Sequence, residues 1–186
     1  MNIGFAMCGS FCTFEQVIPI LKKLASSHKV TPILSEAAYS TDTRFGSARE
    51  NIDRIETVCG CEALHTLSQV EPIGPKKLLD ALIIAPCTGN TLAKLAHSIA
   101  DGPVTMAAKS HLRNGRPILI AISSNDALAG AAENIGRLLN KKNYFFVPFG
   151  QDDPNHKPTS MVADFGKLPQ ALDAALEGRQ IQPILI

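Results

Sequence analysis

Apolar residues along the chain fall into short continuous runs, separated by stretches in which they recur every three or four positions. That alternation predicts βαβ units, with strands buried in a parallel sheet and helices packed over it. Asn2 to Cys8 reads as a first buried strand. After Gly9-Ser10 a helix runs from about Thr13 to Ser26, with Val17, Ile20, Leu21 and Leu24 as its apolar stripe. Val30 to Leu34 is a second strand ending at Ser35. Between Ser40 and Cys61 the pattern gives a polar loop, then an amphipathic helix with Ile52, Ile55 and Val58 on one side. Ala81 to Ala85 is a continuous apolar run, as expected of a strand covered on both faces. It is expected to stop at Pro86, with a helix following from Thr88 to Ala100. Ile118 to Ile122 reads as strand, Asp126 to Asn140 as helix and Tyr144 to Val147 as a last strand. A polar loop spans Pro148 to Ser160, and a final helix runs from about Asp164 to Glu177.

The right-handed crossover rule turns this order into an α/β fold: a single Rossmann-like (flavodoxin-like) three-layer domain over residues 1–186, with an open parallel sheet. Composition agrees with it. The chain has 186 residues, of which 45% are apolar and 19% charged. A chain of that size buries roughly 70% of its unfolded surface and needs no disulfide or metal to hold it. Eighteen basic against 17 acidic side chains leave a net charge of +1, which counts against a dedicated nucleic-acid binder. No apolar stretch reaches the ~20 residues of a membrane span. The opening MNIGFAMCGS has no basic n-region, so no signal peptide is expected. Five cysteines, an odd number, read as free thiols in a reducing cytoplasm. Cys59-Gly60-Cys61 with His65 leaves a metal site as the alternative, though a structural zinc site needs a second ligand pair, and none is expected.

In doubly wound folds ligands sit beyond the carboxyl ends of the strands, which singles out Gly9–Thr13, Ser35–Ala38, Pro86–Thr91 and Ile122–Asp126. All four loops are rich in Gly, Ser, Thr or Asn, and together they suit an anionic, phosphorylated ligand. Gly9-Ser10-Phe11-Cys12-Thr13 joins a strand to a helix, where amides and hydroxyls can meet a phosphate. It is neither GxGxxG nor a Walker loop. Ser10 and Thr13 could equally be plain helix caps, and so could Ser35. In Pro86-Cys87-Thr88-Gly89-Asn90-Thr91 the proline ends the strand, Thr88 can cap the next helix, and Asn90 offers donor and acceptor to a planar ligand. A cap alone needs only one of these residues.

The segment Ile84-Ala85-Pro86-Cys87-Thr88-Gly89-Asn90-Thr91-Leu92-Ala93-Lys94-Leu95-Ala96, followed by Ile99-Ala100-Asp101, closely resembles a signature of the homo-oligomeric flavin-containing cysteine decarboxylase superfamily. The resemblance covers nearly the whole chain. It implies FMN as cofactor, held by Gly9, Ser10, Thr13, Ser35, Pro86, Thr88, Asn90 and Thr91. Asn90 and Asn125 take the catalytic positions. The opening MNIGFAMCGSFCTF and the tail Gln151–Ser160 are most similar to a branch that forms dipicolinate in sporulating bacteria. That branch implies a small dicarboxylate substrate, an oxidoreductase reaction, and NADP entering only through a partner subunit. It further implies a homo-oligomer of trimers or their multiples in the mother-cell cytoplasm.

Two departures from the family bear on the chemistry. Decarboxylases of the superfamily carry a catalytic His in a segment that here reads Pro72-Ile73-Gly74-Pro75, and proline cannot move a proton. His65 lies seven residues too early to replace it, and His97 reads as a helix-surface residue. Where decarboxylases read Pro-x-Met-Asn, this chain has Ile122-Ser123-Ser124-Asn125. Ser123 and Ser124 either bind a substrate carboxylate at a helix N-terminus or merely cap that helix. Lys157 lies in a long loop of the kind that often binds ligand. Arg44 and Arg49 could also reach a carboxylate, whereas Lys109, Arg113 and Arg116 read as a solvated helix face and its exit. Aromatic residues are 5% with no Trp, so Phe11 and Phe14 are either stacking platforms or core. Two other functions remain open: an FMN-dependent decarboxylase of the phosphopantothenoylcysteine type, and a cofactor-free scaffolding subunit.

Overall fold

The structure is a computed structural model that describes residues Met1–Ile186. Five strands form the body of the sheet: β1 (Asn2–Met7), β2 (Lys29–Leu34), β3 (Ala81–Cys87), β4 (Ile118–Ser124) and β5 (Tyr144–Phe146). They pair in parallel in the order β2-β1-β3-β4-β5. β3 is buried along its whole length, as its unbroken apolar run requires. The connecting helices are α1 (Phe14–Ala25), α2 (Glu36–Ser40), α3 (Ala48–Cys59), α4 (Leu67–Val70), α5 (Gly89–Ala96), α6 (Pro103–Leu112), α7 (Ala132–Leu139) and α8 (Leu168–Leu176). α1, α2 and α3 pack in one group and α4 to α7 in another, while α8 packs on β4 and β5. One continuous apolar core of 50 residues joins sheet and helices.

The sheet is not parallel throughout. Two short strands, β6 (Phe149–Gly150) and β7 (Met161–Ala163), come from the loop before the last helix and run antiparallel. β7 pairs with the end of β4, Ser123 opposite Val162 and Ser124 opposite Met161. The expected loop thus returns to the sheet and lengthens β4 beyond Ile122. Ser123 and Ser124 are therefore strand residues and stand at no helix N-terminus. The helix after them begins only at Ala132, because Asn125–Ala131 is held as a turn-rich loop by Asp126 and Thr159 carbonyls.

Two further boundaries move. β3 runs through Pro86 to Cys87, with a register shift toward β4 between Ile84 and Cys87. Proline has no N–H for the ladder, but its carbonyl still accepts from Cys8 N at 3.2 Å. The expected Thr88–Ala100 helix stops at Ala96. Ser98 is left-handed (φ 59°) and Ile99 N bonds back to the Lys94 carbonyl at 2.8 Å. The Lys141 ammonium closes this helix end, donating to the carbonyls of Leu95 at 3.1 Å and Ala96 at 2.7 Å. α6 then starts with Pro103 in its first turn. It presents His111 to the core, fully buried. Cys59, Cys61 and His65 do not converge: the His65 ring stacks on Tyr39 at 3.7 Å between centroids.

Candidate functional site

Strand ends and loops enclose two adjoining cavities at the carboxyl edge of the sheet, of about 600 and 640 Å³, and Gly9 lines both. The first is walled by Cys8, Ser35, Thr88, Asn90, Thr91 and the Lys94–Asp101 pair. The second is walled by Ser10, Thr13, Ser123, Ser124, Asn125, Lys157 and the Thr43–Phe45 turn. The expected residues thus converge in two groups. Pro86 is the exception, being buried and lining neither cavity.

Hydrogen bonds decide which of these side chains are free. Ser35 caps α2 by accepting from Ala38 N at 3.2 Å, which leaves its O–H proton for the cavity. Thr88 caps α5 by accepting from Thr91 N at 3.3 Å. The Thr88 and Thr91 hydroxyls lie 3.1 Å apart, and the Thr91 hydroxyl donates to Cys8 Sγ at 3.3 Å. Both protons of that chain are therefore directed into the protein. Burial, partly offset by the Thr91 hydrogen bond, pushes the Cys8 thiol up to about 11, so it presents no thiolate. Asn90 is exposed in the cavity and makes no side-chain hydrogen bond within the chain. Beside it, the N–H groups of Gly89 and Asn90 open α5 without intrahelical acceptors.

In the second cavity neither Ser10 nor Thr13 caps the following helix through its side chain. The Ser10 hydroxyl donates to the Ser123 carbonyl at 2.6 Å, and the Thr13 hydroxyl donates to the Ser10 carbonyl at 2.9 Å. These bonds clamp the first loop to the end of β4. The Ser124 hydroxyl donates to Asp126, so toward the cavity it can only accept. A Cβ on Gly89 would lie 2.8 Å from the Ser124 oxygen and 2.6 Å from Asp126, so any larger residue there would have to displace that pair. Ser123 is buried against the cavity, and its hydroxyl makes no bond within the chain. Asn125 Oδ1 accepts from the Ser160 hydroxyl at 3.4 Å, and its NH₂ group makes no hydrogen bond within the chain. Lys157 lies 3.4 Å from Asp152. Phe11 lines the cavity, whereas Phe14 belongs to the core.

Sequence reasoning missed Lys94 with Asp101, which lie 2.9 Å apart at the rim of the first cavity, and Phe45 in the second. The Lys and Asp stand in the signature segment and could have been read from it. Phe45 left no signal. Arg44 lines the second cavity, whereas Arg49 pairs with Asp53 on the surface of α3 at 2.7 Å.

These residues fit a flavin. The cavities are of ligand size, the N-terminus of α5 offers bare N–H groups, Asn90 provides a free amide, and Phe11 supplies an aromatic face next to Gly9.

The Flavoprotein family model matches residues 1–171. The B subunit of dipicolinate synthase from Bacillus subtilis (strain 168) is 48% identical over 186 residues, covering 100% of this chain and 93% of the relative. A crystal structure of the dipicolinate synthase B subunit from Bacillus halodurans superposes with a TM-score of 0.91 at 44% identity, covering 100% and 95% of the two chains. The FMN-dependent cysteine decarboxylase SpaF is similar in fold, with a TM-score of 0.68 at 22% identity over 94% of this chain and 97% of its own.

Proposed function

The chain belongs to the Flavoprotein family, and we propose that it is the B subunit of a dipicolinate synthase. It would act with an NADP-binding partner to convert a dihydro- or hydroxytetrahydrodipicolinate precursor to pyridine-2,6-dicarboxylate. The observation that carries this reading is the 48% identity to the Bacillus subtilis dipicolinate synthase B subunit, which extends along the whole chain. The absence of a base at Pro72 supports it against the phosphopantothenoylcysteine-type decarboxylase.

When bound, FMN supplies a two-electron acceptor for aromatising the ring, chemistry that side chains cannot perform. Gly9, Ser35, Asn90 and the N-terminus of α5 would hold it, with Thr88 and Thr91 shaping the helix start from behind. Asn90 would fix the orientation of a planar group through its free amide, and Asn125 would direct its NH₂ to the substrate. Ser123 donates a hydroxyl, and Ser124, whose proton is given to Asp126, accepts one from the ligand. We place the chain in the cytoplasm of a sporulating cell, as a homo-oligomer. No helix is long and apolar enough to cross a membrane.

Titrating the purified chain with FMN and following the visible flavin spectrum tests the cofactor. Saturable uptake is expected, and a colourless protein after incubation would leave the cofactor-free scaffolding reading. Mixing the chain and its NADP-binding partner with nicotinamide cofactor and precursor tests the reaction. Dipicolinate should appear only when both proteins are present.

A further inference from the structure

The second cavity holds a cation with no counter-charge in the protein. Five of the seven arginines have a carboxylate partner: Arg49, Arg54, Arg116, Arg137 and Arg179. Arg44 has none, and it lines the cavity. Its position is fixed by its own turn. Thr43 N donates to the Gly46 carbonyl and Gly46 N to the Thr43 carbonyl, both at 3.1 Å, and Gly46 takes a φ of 125° that favours glycine. Asp42 Oδ1 accepts from Ala48 N at 2.8 Å and pins the turn to α3. At the tip the Arg44 guanidinium lies 4.8 Å over the Phe45 ring, and Phe45 is 45% exposed. Phe45 lines the same cavity as Arg44, so the tip of the turn stands at the cavity wall.

Lys157 reaches the same cavity from the loop after β6. Its ammonium shares a loose 3.4 Å contact with Asp152, so its charge is only partly met. Asp152 is held below the usual carboxylate range: burial raises it, but hydrogen bonding and the Lys157 charge outweigh that. Asp152 therefore stays ionised and partly offsets Lys157, whereas nothing offsets Arg44.

We propose that Arg44 and Lys157 form a two-cation clamp that reads the two carboxylates of the substrate, with the Arg44–Phe45 tip covering its planar ring. This rests on the dipicolinate synthase reading and adds the means by which that site would select a dicarboxylate. A guanidinium presents two parallel N–H donors to one carboxylate, and an ammonium is a point charge for the other. The turn is closed before ligand arrives, so little order has to be imposed on binding. Ser123 and Asn125 line the same cavity as neutral donors.

The test is calorimetric titration of the purified full chain with dipicolinate and with picolinate, which lacks one carboxylate. The wild type should prefer dipicolinate at least tenfold. Arg44→Ala should weaken dipicolinate binding by about ten- to a hundredfold and bring the two ligands close together, with FMN uptake unchanged. Arg44→Lys should fall between, and Phe45→Ala should weaken both ligands alike. Arg44 is on an exposed turn, so these variants should fold as the wild type does. An Arg44→Ala protein that keeps the wild-type preference overturns the clamp, and so does a wild type without preference. The reconstituted reaction separates the readings. If the wild-type proteins together make dipicolinate while the clamp fails, the function stands without it; if they make none, the function itself is wrong.

Discussion

Acidification should destabilise this protein through one residue. His111 is fully buried on α6, and Nε2 lies 3.1 Å from the Pro117 carbonyl. A carbonyl only accepts, so Nε2 carries the proton and the neutral ring leaves Nδ1 bare. Nδ1 has no partner in the protein. Protonating it would bury both a charge and an N–H without an acceptor. Burial accordingly lowers the His111 pKa from 6.5 to about 4, against the pull of the Pro117 bond, with Arg116 lowering it further and Asp80 opposing. The unfolded chain binds this proton below pH ~6.5 and the folded chain does not, so stability rises with pH across the window and is lost as pH falls through it. Between pH 7.5 and pH 5 the loss is about 2 kcal/mol, approaching about 3 kcal/mol near pH 4. For a chain of this size about 2 kcal/mol lowers Tm by roughly 5 °C. The depressed carboxyls of Glu15, Glu50, Asp101 and Asp152 titrate below the usual carboxylate range, so they contribute little between pH 5 and 6.5. The assay is urea unfolding followed by circular dichroism at intervals from pH 5 to 7.5, on wild type and His111→Leu. Leucine fills much of the space and takes no proton, so the variant's profile should be nearly flat, whatever its absolute stability. Parallel profiles for the two proteins would refute the argument. The single 50-residue core leads us to expect one unfolding transition, which the comparison needs.

Asn90→Ala should abolish dipicolinate formation by the combined proteins while leaving the melting temperature within a few degrees, because its amide bonds nothing in the chain; unchanged turnover would remove it from the site. Native alkylation followed by mass mapping should label the exposed Cys12 and Cys61 first and spare Cys8 and Cys87, whose thiols burial drives up; early labelling of Cys87 would contradict the packing around β3. Lys141→Met should cost about 1–2 kcal/mol by opening the end of α5, read as a shift in urea midpoint at constant slope. Gly89→Ala should displace the Ser124–Asp126 pair, and unaltered turnover and stability would show that the loop yields freely.

Much of the fold was legible because it depends on local pattern. The apolar runs at Ala81–Ala85 and Ile118–Ile122, and the helical spacing of Val17, Leu21 and Leu24, fix elements without reference to distant residues. The places where the pattern failed are those where a distant segment decides. β4 extends past Ile122 because Met161 and Val162 pair with its last residues, and no property of Ser123 or Ser124 announces that. The Thr88 helix ends at Ala96 partly because Lys141, on a different element, takes its carbonyls. Gly102-Pro103, by contrast, does carry a local start signal for α6, since proline is favoured in the first turn of a helix.

The same distinction governs the site. Residue type shows what a side chain can donate, and only the fold shows to what. Ser10 and Ser123 are separated by 113 positions, yet the first gives its proton to the carbonyl of the second; Thr91 gives its proton to Cys8 across 83. Hydroxyls that looked equivalent along the chain therefore divide. Ser10, Thr13, Thr88, Thr91 and Ser124 donate inward and set the shape of the two cavities. Ser35, Asn90, Ser123, the Asn125 amide and Arg44 keep their donors for something else. An uncommitted donor in a cavity is costly to leave unmet only when water is displaced, and that occurs when a ligand enters. Specificity should thus follow the uncommitted set. Removing one of those donors should alter ligand preference, whereas removing a committed hydroxyl such as Thr13 should act through stability and the shape of the first loop.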